Sequence, residues 1–283
     1  MVVQVVQTGP SLAQQTAQYE DAGYLVFPQL LDPSELAELR SALADVLEEA
    51  EGLTESNAKF SVVKSADGDR YFVRRIFNPI AHHRAFHDLV FNPKIVDVVE
   101  NLIGPDIQLH HTKLNLKPPA PDARFEWHQD YPFFPHTNFD LLAVMVMLDE
   151  ATEENGCLTI VPGSHKWGPR NHMFARDGAF SSQLEDKAAL ADESRWLSVP
   201  VPAGGIELHH CNMLHSSRAN RSDKPRSALV IQYRAADNVQ VGGGTGHYGW
   251  GMQIRGTNPY RVRMIEGVFK LPGEIKDPLQ RDG

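Results

Sequence analysis

The chain has 283 residues, of which 42% are hydrophobic and 22% charged, and these ordinary globular proportions exclude disordered, collagen-like and coiled-coil classes. Its 27 Lys and Arg against 36 Asp and Glu give a formal charge of −9, which repels a phosphate backbone and argues against nucleic acid as a partner. No stretch approaches eighteen uninterrupted apolar residues, and the opening MVVQVV lacks the basic flank and length of a secretion signal, so a cytoplasmic protein with no membrane segment is expected. Two cysteines, Cys157 and Cys211, are too few for a disulfide framework and fit neither a zinc ribbon nor a redox CxxC, so both are expected as reduced, packed thiols.

The first third of the chain reads as helical. A helix is predicted over 12–22, then a short β-prone run at 24–27. A second helix starts at Asp32-Pro33 with apolar positions Leu36, Leu39, Leu43, Val46 and Leu47, and a third covers 92–103, closed by Gly104-Pro105. From Ile107 the texture changes to short apolar or alternating runs at 107–116, 141–148, 158–161, 197–201, 206–208 and 228–233, separated by Pro and Gly. Such spacing predicts a mainly β sandwich or barrel with flanking helices. The expected organisation is a single domain over 1–283: a helical buttress at about 11–104, a β core at about 107–236, and a Gly-rich loop and tail at 237–283. Residues 170–195 read as an insertion between strands, and 242–250 as either a loop over a pocket or an ordinary surface loop.

Chemistry enters at Trp127-His128-Gln129-Asp130, because residues two apart in an extended strand point the same way and could share a metal. A third ligand is available in the downstream run that holds His209, His210 and His215. Two histidines and one carboxylate leave three positions open, as non-haem iron(II) oxygenases require, although the same set also suits zinc. Arg226 lies 226 − 215 = 11 residues after His215, across a polar turn. A hairpin of that length would return it beside the metal, where its planar fork could take the distal carboxylate of a dicarboxylate cosubstrate. His209 and His210 face opposite ways in a strand, so at most one can look at the metal. His82, His83, His110 and His111 read as polar strand or loop residues. Tyr131, Phe133 and Phe134 are candidates for a pocket rim, and Arg70, Arg74 and Arg75 form a basic stretch able to meet a carboxylate, phosphate or coenzyme A thioester.

These residues carry a resemblance to the phytanoyl-CoA dioxygenase family of iron(II) and 2-oxoglutarate oxygenases, running from about Tyr19 to Arg234. It rests on Glu20-Asp21-Ala22-Gly23-Tyr24-Leu25-Val26, on Leu116-Lys117-Pro118-Pro119, and on His128-Gln129-Asp130. Further along, Asn155-Gly156-Cys157-Leu158, Pro162-Gly163-Ser164-His165-Lys166, and His215 with Asn220-Arg221-Ser222 and Arg226 follow in order. The resemblance implies a double-stranded β-helix, jelly-roll and cupin-like, with Fe(II) on His128, Asp130 and His215. It assigns Arg226 and Ser217 to 2-oxoglutarate, places Lys113 and Arg75 near that cosubstrate, picks His215 over its neighbours, leaves His210 as a packed or supporting residue, and makes His165 structural. Retention of Asp130 implies hydroxylation or another oxidation rather than halogenation. The implied reaction uses O2 and decarboxylates 2-oxoglutarate to succinate while oxidising a small molecule: a lipid, acyl thioester, amino-acid derivative or secondary metabolite. A zinc hydrolase or isomerase of similar shape, or a non-catalytic binding module, are the competing readings, and oligomeric state is open.

Overall fold

Local capping sets the helices in the computed structural model of the chain, which describes residues 11–65, 68–119, 124–173, 183–190, 192–243 and 248–265. Helix α1 (Leu12–Ala22) opens on a capping box between Ser11 and Gln14 and is ended by Gly23 at φ 82°. Helix α2 (Pro33–Glu48) opens on Asp32, whose carboxylate accepts from the Ser34 and Glu35 amides while Glu35 reaches back, with Pro33 in the first turn. Short α3 (Arg84–Leu89) leads to α4 (Pro93–Ile103), capped by Asn92 and stopped at Gly104. Each such cap is worth about 1 kcal/mol. Packing supplies the larger share: α4 alone buries Ile95, Val96, Val98, Val99 and Ile103.

Strands β1 (Tyr24–Phe27), β2 (Phe60–Lys64), β3 (Tyr71–Phe77), β4 (Ile107–Lys117), β6 (Leu141–Met147), β11 (Ile206–His210), β13 (Arg226–Ala235) and β14 (Gln253–Arg255) form an antiparallel sheet. Its order is β1-β11-β6-β13-β4-β3-β2, with β14 also on β4. A second antiparallel sheet, β10-β7-β12-β5, contains β5 (Phe125–His128), β7 (Leu158–Ile160), β10 (Leu197–Val199) and β12 (His215–Ser217). A small hairpin joins β8 (His172–Met173) to β9 (Gln183–Leu184). Two antiparallel sheets face to face give the expected jelly-roll, cupin-like architecture.

Strand alternation sorts two cores. Leu229, Ile231 and Tyr233 pack with Leu114, Leu142, Val144 and the helices, whereas Ala228 and Val230 pack with Ala143, Met145 and Leu158 between the sheets. The major sheet is therefore covered on both faces, which explains why its central strands read as nearly continuous apolar runs.

One expectation is corrected. The first third is not wholly helical, since β2 and β3 add a hairpin to the edge of the major sheet. Phe60-Ser61-Val62-Val63 and Tyr71-Phe72-Val73 have the aromatic and β-branched content of strands. Arg74 and Arg75 interrupt the apolar pattern of the second run. Both cysteines are free and buried. No helix among the described residues is long and apolar enough to cross a membrane. MVVQVV, residues 174–182 and 191 of the insertion, Gly244, Gly246 and His247, and the tail beyond 265 lie outside the described residues.

Candidate functional site

His128 ends β5 and His215 begins β12, and the two are direct cross-strand partners. With Asp130 they form a group whose ligand atoms all lie within 4.8 Å of one another, the only such cluster among the described residues. The convergence does not come from strand alternation as expected. The chain leaves β5 after His128, and Asp130 adopts helical backbone angles (φ −74°, ψ −39°) at the start of a 3-10 turn, pinned by its amide to the Cys211 carbonyl at 3.0 Å. Nδ1 of His128 meets the Glu126 carbonyl at 2.7 Å, and Nδ1 of His215 meets the Met213 carbonyl at 3.0 Å. Each carbonyl can only accept, so each Nδ1 carries the proton and each Nε2 keeps a lone pair for a metal. Burial pushes His128 down to about 4 and His215 well below its ordinary range, holding both neutral. Burial opposes the charge on Asp130, but His209, Lys113 and His215 outweigh it and hold the carboxyl well below its usual range.

Other side chains fix these ligands. Gln232 of β13 donates from Nε2 to Asp130 Oδ2 at 2.5 Å. His209 Nε2 lies 3.7 Å from the same oxygen, while its Nδ1 meets fully buried Glu207 at 3.0 Å. Burial disfavours a charged His209, yet Glu207 and Asp130 prevail and push it up to about 10. Gln129 points the other way and locks the metal turn, donating to the Asn212 carbonyl at 2.7 Å and the Gly168 carbonyl at 3.0 Å and accepting from the Arg170 amide at 2.7 Å. The Pro162-Gly163-Ser164-His165 turn is structural, as expected: Ser164 Oγ accepts from the Leu214 amide at 2.9 Å, and His165 contacts the Glu20 carbonyl at 3.1 Å.

A cavity of about 50 Å³ opens over the triad, lined by Arg75, Lys113, Asn115, Phe125, His209, Ser217 and Arg226 among others. All four residues predicted near a cosubstrate are therefore brought together with the metal cluster. Their route differs from expectation: β12 and β13 belong to different sheets, so Arg226 enters from the wall opposite His215 after a crossover, not along a hairpin. Arg226 is 2% exposed and donates from Nη2 to the Gly156 carbonyl at 3.0 Å, and its Nε and Nη1 have no partner among the described residues. A buried guanidinium with two unanswered donors fits a carboxylate. Arg75 Nε donates to Asn115 Oδ1 at 3.1 Å on the same wall.

The remaining candidates separate cleanly. His209, not His210, sits beside the metal ligands; His210 packs toward Tyr19, Phe139 and His165. His110 and His111 are buried, not loop-like, and their Nδ1 atoms lie 2.6 Å apart, because His110 is an extra residue where β4 slips register against β13. Tyr131 is fully buried, and neither it nor Phe133 nor Phe134 lines the cavity, whereas Phe125 does. Of the basic stretch, Arg75 reaches the cavity, Arg74 lies over the Phe125 ring, and Arg70 lies over Phe72. Sequence reasoning missed Gln232, Glu207 and Asn115. For Gln232 the available signal was a polar residue inside the apolar run 228–233.

The phytanoyl-CoA dioxygenase (PhyH) family pattern matches residues 19–228. A protein of Stutzerimonas stutzeri named "Probable alpha-ketoglutarate-dependent hypophosphite dioxygenase" is 34% identical over 277 residues, covering 96% of this chain and 94% of its own. An ectoine dioxygenase of Sphingopyxis alaskensis is 26% identical over 244 residues, 81% of this chain and 78% of its own. In structure, EctD from S. alaskensis with bound Fe superposes with a TM-score of 0.67 at 24% identity, covering 94% of this chain and 92% of that one, which bears out the fold. The epimerase SnoN in complex with Fe3+, alpha ketoglutarate and nogalamycin RO gives 0.64 at 23% identity, covering 87% and 96%. With a His-Asp-His cluster facing an arginine whose Nε and Nη1 have no partner among the described residues, and a family match across most of its length, the chain belongs to the phytanoyl-CoA dioxygenase (PhyH) family and is an iron(II)- and 2-oxoglutarate-dependent dioxygenase.

Proposed function

We propose that this dioxygenase oxidises a small oxyanion, hypophosphite in the first instance, by inserting one oxygen atom into a P–H bond. The charge of the cavity wall carries the reading. Arg75, Lys113 and Arg226 face the cavity, and Asp130 is the one carboxylate among its described lining residues. Iron(II) and the 2-oxoglutarate dianion cancel, Asp130 cancels one cation, and two positive charges remain. A buried excess of one sign is costly until a counter-charge joins it. The Glu207 and His209 pair is neutral overall and leaves that count unchanged. A relative named for hypophosphite, matching 96% of this chain, supports the same class over the lipids, thioesters and secondary metabolites that the fold also allows.

In this reading His128, Asp130 and His215 hold iron, Arg226 and Ser217 receive the distal carboxylate of 2-oxoglutarate, and Lys113 and Arg75 hold anionic oxygens nearer the metal. Bound iron with 2-oxoglutarate and O2 supplies the oxidising power, the cosubstrate leaving as succinate and CO2. The chain's own residues keep the imidazole lone pairs free, orient the two anions by charge, and fix Asp130 through Gln232. One P–H bond becomes P–OH, so hypophosphite becomes phosphite, and the second atom of O2 ends in succinate.

The test is anaerobic loading with iron(II), titration with 2-oxoglutarate for the visible charge-transfer band, then oxygenation with hypophosphite followed by phosphorus NMR. Phosphite and succinate in equal amounts are expected. A band without hypophosphite-stimulated succinate would sink the substrate, and no band would sink the cofactor assignment.

A further inference from the structure

Lys117 ends β4 directly opposite Arg226, which begins β13. Both side chains are almost wholly buried, at 1% and 2% exposure, and neither forms an ion pair among the described residues. Like charges directly opposite each other in a sheet are destabilising. Two buried basic side chains set opposite each other with no carboxylate between them therefore need another reason.

The contacts supply one. Lys117 Nζ donates to Ser217 Oγ at 2.7 Å, to the Gly156 carbonyl at 3.3 Å and to the Arg218 carbonyl, so its donors are all used inside the protein. With a dianion bound nearby Lys117 is held as an ammonium, which only donates, so Ser217 Oγ accepts and the hydroxyl's own proton is left for the cavity that Ser217 lines. The Gly156 carbonyl also takes Nη2 of Arg226 at 3.0 Å, so one backbone oxygen ties both cations together. Gly156 is required for this approach: at φ +77°, an added Cβ would lie 2.2 Å from the Arg218 carbonyl oxygen and 2.8 Å from Lys117 Nζ.

We propose that Lys117 is a positioning residue of the cosubstrate subsite, turning Ser217 into a donor toward the distal carboxylate and adding a second positive charge behind Arg226. It rests on the assignment of Ser217 and Arg226 to 2-oxoglutarate. Lys117 does not line the cavity, so it acts through Ser217 and the shared carbonyl. Its effect falls on the distal carboxylate alone, selecting dicarboxylate over monocarboxylate oxoacids.

The test is anaerobic titration of iron(II)-loaded protein, full length, with 2-oxoglutarate and separately with 2-oxobutyrate, which lacks the distal carboxylate. Wild type is compared with Lys117→Met, Lys117→Arg, Ser217→Ala and the Lys117→Met/Ser217→Ala double variant. Lys117→Met is expected to weaken 2-oxoglutarate by about 10- to 100-fold, the range of a lost hydrogen bond to a charged group, with 2-oxobutyrate and iron affinity unchanged. Lys117→Arg restores part of the loss, and the double variant is no weaker than the worse single one. Equal weakening of both oxoacids, additive losses in the double variant, or unchanged 2-oxoglutarate affinity would each overturn the proposal. Should Lys117→Met not fold, Lys117→Arg alone decides it: weaker 2-oxoglutarate with unchanged 2-oxobutyrate supports it, and equal effects on both overturn it. Absence of the band in wild type would instead remove the cosubstrate assignment and this proposal with it.

Discussion

Gln232 in β13 of the major sheet meets Asp130, in the turn that follows β5 of the minor one, at 2.5 Å, Nε2 of the glutamine donating to the carboxylate Oδ2. The contact occupies one oxygen of the carboxylate and leaves Oδ1, 4.0 Å from His215 Nε2, for the metal. A carboxylate held by one oxygen leaves more of the metal's coordination sphere open to its reactants.

Gln232→Leu is therefore expected to weaken iron(II) binding by about tenfold, the lower end for loss of a group that orients a ligand. Competition against a fluorescent chelator measures it. Wild-type affinity in a folded Gln232→Leu protein would show the clamp to be incidental.

His215→Ala and Arg226→Ala should separate two functions. Loss of the histidine removes a ligand and abolishes both the charge-transfer band and turnover. Loss of the arginine leaves iron affinity near wild type and raises the 2-oxoglutarate requirement by about 100-fold, as expected when a buried charged hydrogen-bond partner is removed. Steady-state kinetics over a wide cosubstrate range distinguishes the two, and a low requirement in Arg226→Ala would contradict the assignment.

Cosubstrate affinity should depend on pH through Lys117. Burial and Arg226 push Lys117 down to about 6, with Arg74 lowering it further and Cys157 opposing. A dianion bound nearby favours the ammonium, so Lys117 titrates higher in the complex than in the free protein. Between those two values, binding takes up a proton. Affinity is then greatest below about pH 6 and falls as pH rises toward the bound-state value, by at most about tenfold per unit. Titrations at pH 6, 7 and 8 should show the decline in wild type, and Lys117→Met should flatten it. An identical slope in the variant would assign the proton elsewhere.

Gly23→Ala should damage the metal site from a distance. Gly23 sits at φ +82°, and an added Cβ would lie 2.3 Å from His165 Nδ1 and 2.5 Å from Met213 Cε. Met213 supplies the carbonyl that orients His215. Backbone strain alone costs about 1–3 kcal/mol, and the clash adds to it. Denaturant unfolding together with iron affinity checks both effects, and a variant as stable as wild type would show that the helix end yields easily.

Much of the site was legible because its chemistry is local in sequence. His128 and Asp130 lie two apart, the need for a carboxylate receptor pointed to Arg226, and the family resemblance picked His215 from the histidines at 209, 210 and 215. The geometry behind those choices was not legible. Alternation in a strand was the stated reason for pairing His128 with Asp130, yet a helical turn at Asp130 brings them together. A hairpin was to place Arg226, yet it sits across the interior on the other sheet. Which of His209 and His210 faces inward depends on how β11 registers with β6, a long-range pairing that one strand's own residues do not encode. Likewise the β2 and β3 hairpin is stabilised by joining β4, so its local pattern, broken by Arg74 and Arg75, understated it.

The two sheets also carry different parts of the site. Both histidines of the metal cluster belong to the minor sheet, with Asp130 in the turn that leaves it, whereas Arg75, Lys113, Asn115 and Arg226 project from β3, β4 and β13 of the major one. In the proposed reading, substitutions at Arg75, Lys113 and Asn115 retune which anion is accepted and leave His128, Asp130 and His215 in place. Drift in substrate preference thus has a separate address from loss of catalysis, and a laboratory search for altered specificity would begin at positions 75, 113 and 115.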